Sequence, residues 1–313
     1  MKRYLAPTLC TLSVAVGSFA AADEGGVSLW LPGQYGSFAA VAPEPGWSLP
    51  LLTYYYSGDA GRGQAIEAGG AVRLGIDADF LGQFVIPTYT PDAEILGGRP
   101  SFSLGFLAAR NDVTASLTLG SASGRASDSV TAIGDLYPTA QLFWNRGVHN
   151  WMAYLTGNIP VGDYDPTRLS NIGIGHAAID LGGAYTYFNP ENGWEFSATG
   201  GLTYNFKNSD TGYQNGIDAH LDIGMSRFLS EQLFVGLVGF GYQQLTADSG
   251  QPAILGDFKS STYGVGPQIG YVFNAGGREV FTNLRGYWEF ESSNRTGGAS
   301  AMLTISFPLG KQS

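Results

Sequence analysis

The sequence predicts an all-β chain: an antiparallel transmembrane β-barrel of about fourteen strands, with twelve as the alternative. Three observations predict it. Apolar and polar residues alternate with a period of two along nearly the whole chain, and this places them on opposite faces of a strand. Only 13% of residues are charged, about half of the roughly 25% usual in soluble domains. Connections between the alternating segments are short and long by turns, as in barrels with short turns on one side of a membrane and longer loops on the other.

In chain order, the first feature is a positive start at Lys2 and Arg3, then an apolar run, then small residues through Ala22. This is the pattern of a secretory signal peptide over 1–22, with cleavage sites at Ser18-Phe19-Ala20 and Ala20-Ala21-Ala22. The one cysteine, Cys10, falls inside it, so the exported chain is expected to fold without a disulfide. The formal net charge is −10; so acidic a chain is a poor partner for nucleic acid.

Residues 23–46 contain Pro and Gly at positions that exclude a regular helix or a central strand. Two readings stay open: a periplasmic arm, or a small plug folded into the lumen. Leu29, Trp30, Leu31 and Phe38 are the plug candidates, because an apolar cluster is poorly placed in water.

The barrel is expected over 47–307, with a short tail at 308–313. Strands are read at 47–57, 66–77, 79–90, 99–109, 112–122, 134–145, 149–160, 174–188, 194–206, 216–228, 232–246, 260–274, 278–290 and 298–307. If the division at 77–79 is removed, twelve strands result. "WEFSATGGLTYNF", 194–206, shows the pattern plainly: Trp194, Phe196, Leu202, Tyr204 and Phe206 share one parity, and Glu195, Ser197, Thr199, Thr203 and Asn205 the other. A protein core or lipid would each select that alternation. The Ser, Thr, Asn and Gln content of the second face, and the Trp and Tyr at strand ends, favour lipid outside and water inside. "LFVGLVGFGY", 233–242, is apolar on both parities and fits either a thick lumen or a hidden core. The last strand ends on Phe307, similar to the aromatic end signal read by outer-membrane insertion machinery. No segment has the 18 or so apolar residues of a membrane helix.

Several segments resemble one outer-membrane family. They are "GDLYPTAQLFW", "GNIPVGDYDPTRLSNIG", "YNFKNSDTGYQNGIDAHLDIGMSRFL", "GFGYQQLTADSG" and "YGVGPQIGY", within 134–274, with "LWLPGQYGSFAAVAPEPGWSL" at the N-terminus. The family is the "MetA-pathway of phenol degradation" family, and within it the SphA-like transporters. The resemblance implies a barrel in the bacterial outer membrane that takes up small hydrophobic or aromatic compounds, with outer-membrane lipid as its surroundings and no cofactor.

By parity, the lumen candidates are Arg73, Asp77, Tyr137, Tyr154, Asp180, Asp218, His220, Asp222, Arg285, Tyr287 and Glu289. Arg73 and Arg285 are expected to pair with inward acids, Glu195 among them. Asp218, His220, Asp222 and Asp180 have metal-binding side chains, but polar residues two apart are what any wet lumen supplies, and no metal is assigned. His220 and Ser226 share a strand face; without an evident third group they do not assemble a hydrolase site, and no catalytic residue is assigned. Two alternatives to a hydrophobic-compound channel remain: a general diffusion porin for small polar solutes, and a barrel lipase or deacylase.

Overall fold

The computed structural model describes residues 29–68, 71–119, 122–250 and 259–309, with backbone alone at 61–68, 71–74, 117–119 and 122–123. The expected signal peptide at 1–22 lies outside the described residues, as does the side chain of Arg73.

The strands are β1 (Gly46–Ala68), β2 (Ala71–Val85), β3 (Thr88–Thr90), β4 (Arg99–Leu119), β5 (Ala122–Arg146), β6 (His149–Asn158), β7 (Ala178–Asn189) and β8 (Trp194–Asn205). They continue with β9 (Tyr213–Gln214), β10 (Asp218–Phe228), β11 (Leu233–Gln244), β12 (Ser249–Gly250), β13 (Ser261–Ala275), β14 (Arg278–Ser293) and β15 (Gly297–Pro308). All but β9 and β12 form one 13-stranded sheet. It closes on itself where β1 meets β15 antiparallel, from Ser48 opposite Pro308 to Asp59 opposite Gly297. Closure leaves no unpaired edge, the condition for strands to stand in lipid.

The wall has twelve staves, because β3 continues β2. Leu51 faces Val85 and Ser48 faces Thr88 on the β1 side, and Val85 faces Phe106 and Thr88 faces Ser103 on the β4 side, so the register is unchanged across the gap. Pro87 makes the gap: it has no N–H to give to the ladder, while its carbonyl still accepts from Leu104 N at 3.2 Å.

The barrel is therefore the twelve-stranded alternative, and the difference from fourteen lies in the first half of the chain. The stretches 57–65 and 123–133, read as loops, are strand. Arg110-Asn111, read as a turn, runs straight through β4, and 77–79 runs through β2. These segments form two long hairpins, β1–β2 and β4–β5. A ribbon that extends past the lipid is wet on both faces, so its sequence loses the alternation that marks a membrane strand and reads as loop.

From β6 onward the strands of the wall fall within a few residues of where the alternation put them. Trp151, Leu155, Trp194, Phe196, Leu202, Tyr204, Leu221, Ile223 and Met225 are exposed on the outer face. Between them, Asn150, Thr156, Glu195, Ser197, Thr199, Thr203, Asn205, Asp218 and Asp222 are buried on the inner face. β13 and β14 are joined by Gly276 and Gly277, both with positive φ (63° and 79°), the backbone that a two-residue hairpin turn requires.

On the other side the longer connections fold over the mouth. Loop 159–177 is tied to the β4–β5 hairpin: Ser170 and Leu169 N–H groups donate to Asp128 at 3.1 Å, and Ser170 Oγ donates to the Asn111 carbonyl at 2.8 Å. Arg168 pairs with Asp163 within the loop, and Ile172 is buried against Leu107 and Ala109. Tyr164 OH accepts from Asn208 at 2.8 Å, linking this loop to the next, and β9 in that loop pairs with β12 in the connection between β11 and β13.

Candidate functional site

A twelve-stranded wall is wider than the roughly eight strands whose lumen side chains can fill. In this chain residues 29–45 occupy the middle of the lumen. Every backbone group placed there needs a partner, and the inner wall supplies them from many directions. Gly33 N–H donates to Asp222 Oδ1 at 2.9 Å and Tyr35 N–H to Asp222 Oδ2 at 3.1 Å. Phe38 N–H donates to Glu195 Oε1 at 2.9 Å, and Ala40 N–H to Thr186 Oγ1 at 3.0 Å. The segment's carbonyls are met by cations and a phenol: Arg285 Nη1 on Gln34 O (3.0 Å), Tyr287 OH on Gly33 O (2.9 Å) and Arg99 Nη1 on Pro43 O (3.1 Å). Gln268 donates to Ser37 Oγ at 2.7 Å, and Gln141 to Tyr35 OH at 3.0 Å. The partners come from β4, β5, β7, β8, β10, β13 and β14, most of the circumference.

The apolar side chains of the segment fill three places. Trp30, 1% exposed, packs with Phe143, Met152, Tyr154 and Ala184. Leu31 packs against Tyr54, Val238, Phe240, Tyr287 and Met302. Phe38 sits among phenylalanines at the short-turn end, 5.3 Å from Phe188, 5.1 Å from Phe234 and 6.4 Å from Phe281 in edge-on contacts. Phe38 has φ of 68°, a conformation a bulky residue adopts only when its surroundings fix it. The Glu195 bond and the phenylalanine nest do so here. Leu29 is half-buried.

These contacts explain β11. Its inward Phe234, Val238 and Phe240 face the inner segment while Leu237 faces outward, so the strand is apolar on both parities. Gly224 on β10 leaves room for the segment's backbone: a Cβ there would stand 2.6 Å from Ser37 N and 2.8 Å from Gly36 C.

The structure brings Tyr154, Asp180 and His220 together. His220 Nε2 lies 2.9 Å from Asp180 Oδ2 and 3.3 Å from Tyr154 OH, and Thr203 Oγ1 donates to the same Asp180 oxygen at 2.5 Å. Asp222, Arg285 and Tyr287 hold the inner segment. Asp218 stands apart, accepting from Asn205 Nδ2 at 2.8 Å. Tyr137 packs beside Phe84 at 5.9 Å. Glu289 binds Gly298 N–H at 2.9 Å near the long-loop side, and Asp77 is exposed on the β1–β2 hairpin. Arg285, expected to pair with an acid, gives its guanidinium to a backbone carbonyl and to Thr304 instead. Ser226 donates to Glu195 Oε2 at 2.9 Å, not to His220. Among the described residues no three His, Cys, Asp or Glu side chains converge as a metal site would need.

Parity alone placed Glu195 inward. Thr186, Tyr35, Gln141 and Gln268 were missed, because only the path of the inner segment makes them contacts.

A closed antiparallel barrel with an apolar outer belt and a polar inner face crossed by its own N-terminal segment defines an outer-membrane β-barrel of the channel type. More particularly, the chain belongs to the family described as "Putative MetA-pathway of phenol degradation", whose model matches residues 60–305. Among solved structures it is similar to the COG4313 outer membrane channel from Pseudomonas putida F1, with a TM-score of 0.63 at 15% identity, covering 89% of this chain and 98% of that one. Weaker similarity extends to a Pseudomonas aeruginosa FadL homologue, with a TM-score of 0.43 at 9% identity over 94% and 99% of the two chains. A search of curated proteins returned no match.

Proposed function

We propose that the protein is an outer-membrane channel for the uptake of small hydrophobic or aromatic compounds, with residues 29–45 as a plug that moves to let them through. The observation that carries this reading is the plug's grip: backbone N–H and C=O groups of the segment are matched one by one to Asp222, Glu195, Thr186, Arg285 and Tyr287. A lumen so filled is a poor open pore for polar solutes. Its apolar lining, from the phenylalanine nest to the cluster around Tyr54 and Phe240, suits solutes with little to hydrogen-bond. The similar channel from Pseudomonas putida supports the fold, and the family's name supports the class of compound. Outer-membrane lipid surrounds the barrel, the insertion machinery places it there, and the signal peptide at 1–22 exports it.

Uptake tests the reading. Cells with an intact lipopolysaccharide layer, with and without the barrel, are given labelled p-cresol or arabinose. The barrel should speed p-cresol entry several-fold and leave arabinose unchanged. Equal acceleration of both would favour the general diffusion porin.

A further inference from the structure

Trp30 lies against the inner wall the way a bound ligand would. Its indole is stacked on the His220 ring with centroids 3.5 Å apart and planes 13° apart. Tyr154 is stacked beside it at 5.6 Å and 27°, and Tyr35 at 5.5 Å and 20°. A ring from the plug is thus seated against two rings that belong to the barrel.

The barrel is shaped for this seat whether or not Trp30 fills it. Gly182 on β7 and Gly201 on β8 hollow the inner face. A Cβ on Gly182 would stand 2.4 Å from the Tyr154 hydroxyl, and one on Gly201 would stand 2.2 Å from that hydroxyl and 2.9 Å from His220 Nε2. The two glycines let Tyr154 of β6 lie flat across β7 and β8 and reach His220 on β10, which is itself paired with Asp180 of β7. The seat also has polar atoms to spare. His220 Nδ1, Asp180 Oδ1 and Thr199 Oγ1 are buried and have no hydrogen-bond partner among the described residues. Buried polar atoms are ordinarily paired, and an indole stacked face-on brings only its π surface to the imidazole beneath it.

We propose that this seat is a solute-binding site for a planar aromatic compound carrying a hydroxyl or similar hydrogen-bonding group, and that Trp30 is a built-in occupant which such a solute displaces. The solute's ring takes the place of the indole on His220 and Tyr154, and its polar group meets the unpartnered atoms of the Asp180, His220 and Thr199 wall. Loss of Trp30 from its seat loosens the plug, so the compound to be taken up is also the one that opens the path. This inference rests on the channel reading above and names its site.

The test uses the full-length barrel in detergent, labelled with 5-fluorotryptophan, with Trp47, Trp144, Trp151, Trp194 and Trp288 changed to Phe so that one fluorine resonance reports Trp30. The probes are p-cresol, toluene and 4-methylcyclohexanol. p-Cresol should move the resonance saturably toward its solvent-exposed position. The saturated alcohol, which has no π face, should need about tenfold more, consistent with the extra attraction between stacked aromatic rings. Toluene, which has the ring without the hydroxyl, should also be weaker. Tyr154→Leu removes a ring that the indole and the solute both stack on, so it should narrow the difference between the p-cresol and 4-methylcyclohexanol midpoints. A resonance unmoved by p-cresol at concentrations that saturate uptake would overturn the site and leave the channel standing. Displacement by all three probes alike would also overturn it, because Trp30 would then be leaving by unspecific partition. Displacement by p-cresol in a barrel that fails the uptake experiment would uphold the site and sink the channel.

Discussion

Asp222 holds Gly33 by its backbone: the Gly33 amide donates to Oδ1 at 2.9 Å, and the other carboxylate oxygen takes the amide of Tyr35 at 3.1 Å. One side chain on β10 therefore fixes a turn that lies 189 residues earlier in the chain. Asp222→Asn keeps the shape but offers one oxygen and one NH2, so one of the two amides faces a donor. The loss is about 1–3 kcal/mol, or roughly one to two decades in the population of the open plug. Single-channel recording should show a higher open probability for the variant. An unchanged open probability would mean that the carboxylate does not hold the channel closed.

Gly224 tests the seat by size alone. A methyl group there meets Ser37 N and Gly36 C at under 3 Å, and backbone cannot yield as a long side chain does. Gly224→Ala should expose residues 29–45 to protease while the barrel keeps its heat-modifiable migration on gels. Protection equal to that of the unchanged protein would show that the backbone is not seated against β10.

Leu202 and Thr203 are neighbours on β8 with opposite fates. Leu202 is about half exposed on the outer face and Thr203 is fully buried within. Leu202→Arg places a charge against lipid, at about 2–4 kcal/mol near the midplane, and should reduce the fraction of assembled barrel. Thr203→Arg should assemble, its damage confined to the Asp180–His220 pair that Thr203 supports. Equal assembly defects would refute the assignment of faces.

The two rims should lie on opposite sides of the membrane. Loop 159–177 and the turn at 190–193 sit at opposite ends of β7. An impermeant thiol reagent on intact cells should label a cysteine placed at 165 and spare one at 191. Labelling at 191 alone would reverse the orientation.

Much of this was legible in the sequence, and the reason differs from part to part. The parity of β6, β8 and β10 could be read because lipid and a wet interior select opposite residues at successive positions. Trp194 to Asn205 shows this without exception at its large residues. The β1–β2 and β4–β5 hairpins could not be read, since a ribbon in water imposes no such choice. Asp180, His220 and Asp222 stood out as inward polar residues, yet their separate tasks did not. His220 and Asp222 are two apart on one strand, one under an indole and the other under a pair of amides. Only the course of residues 29–45 through the lumen separates them. β11 carried the hint, for a strand apolar on both faces inside a barrel must have something apolar to face.

The central claim is that the plug must leave its seat for solute to cross. Ala40 N–H and Thr186 Oγ1 are 3.0 Å apart, so cysteines at these two positions, with Cys10 changed to Ser, would be placed to join the plug to β7. Uptake of labelled p-cresol by cells carrying this variant should stop when the pair is oxidised and return to the unmodified rate on addition of dithiothreitol. Equal uptake in the oxidised and reduced states, with the cross-link confirmed by mass, would show that solute passes a plug that never moves.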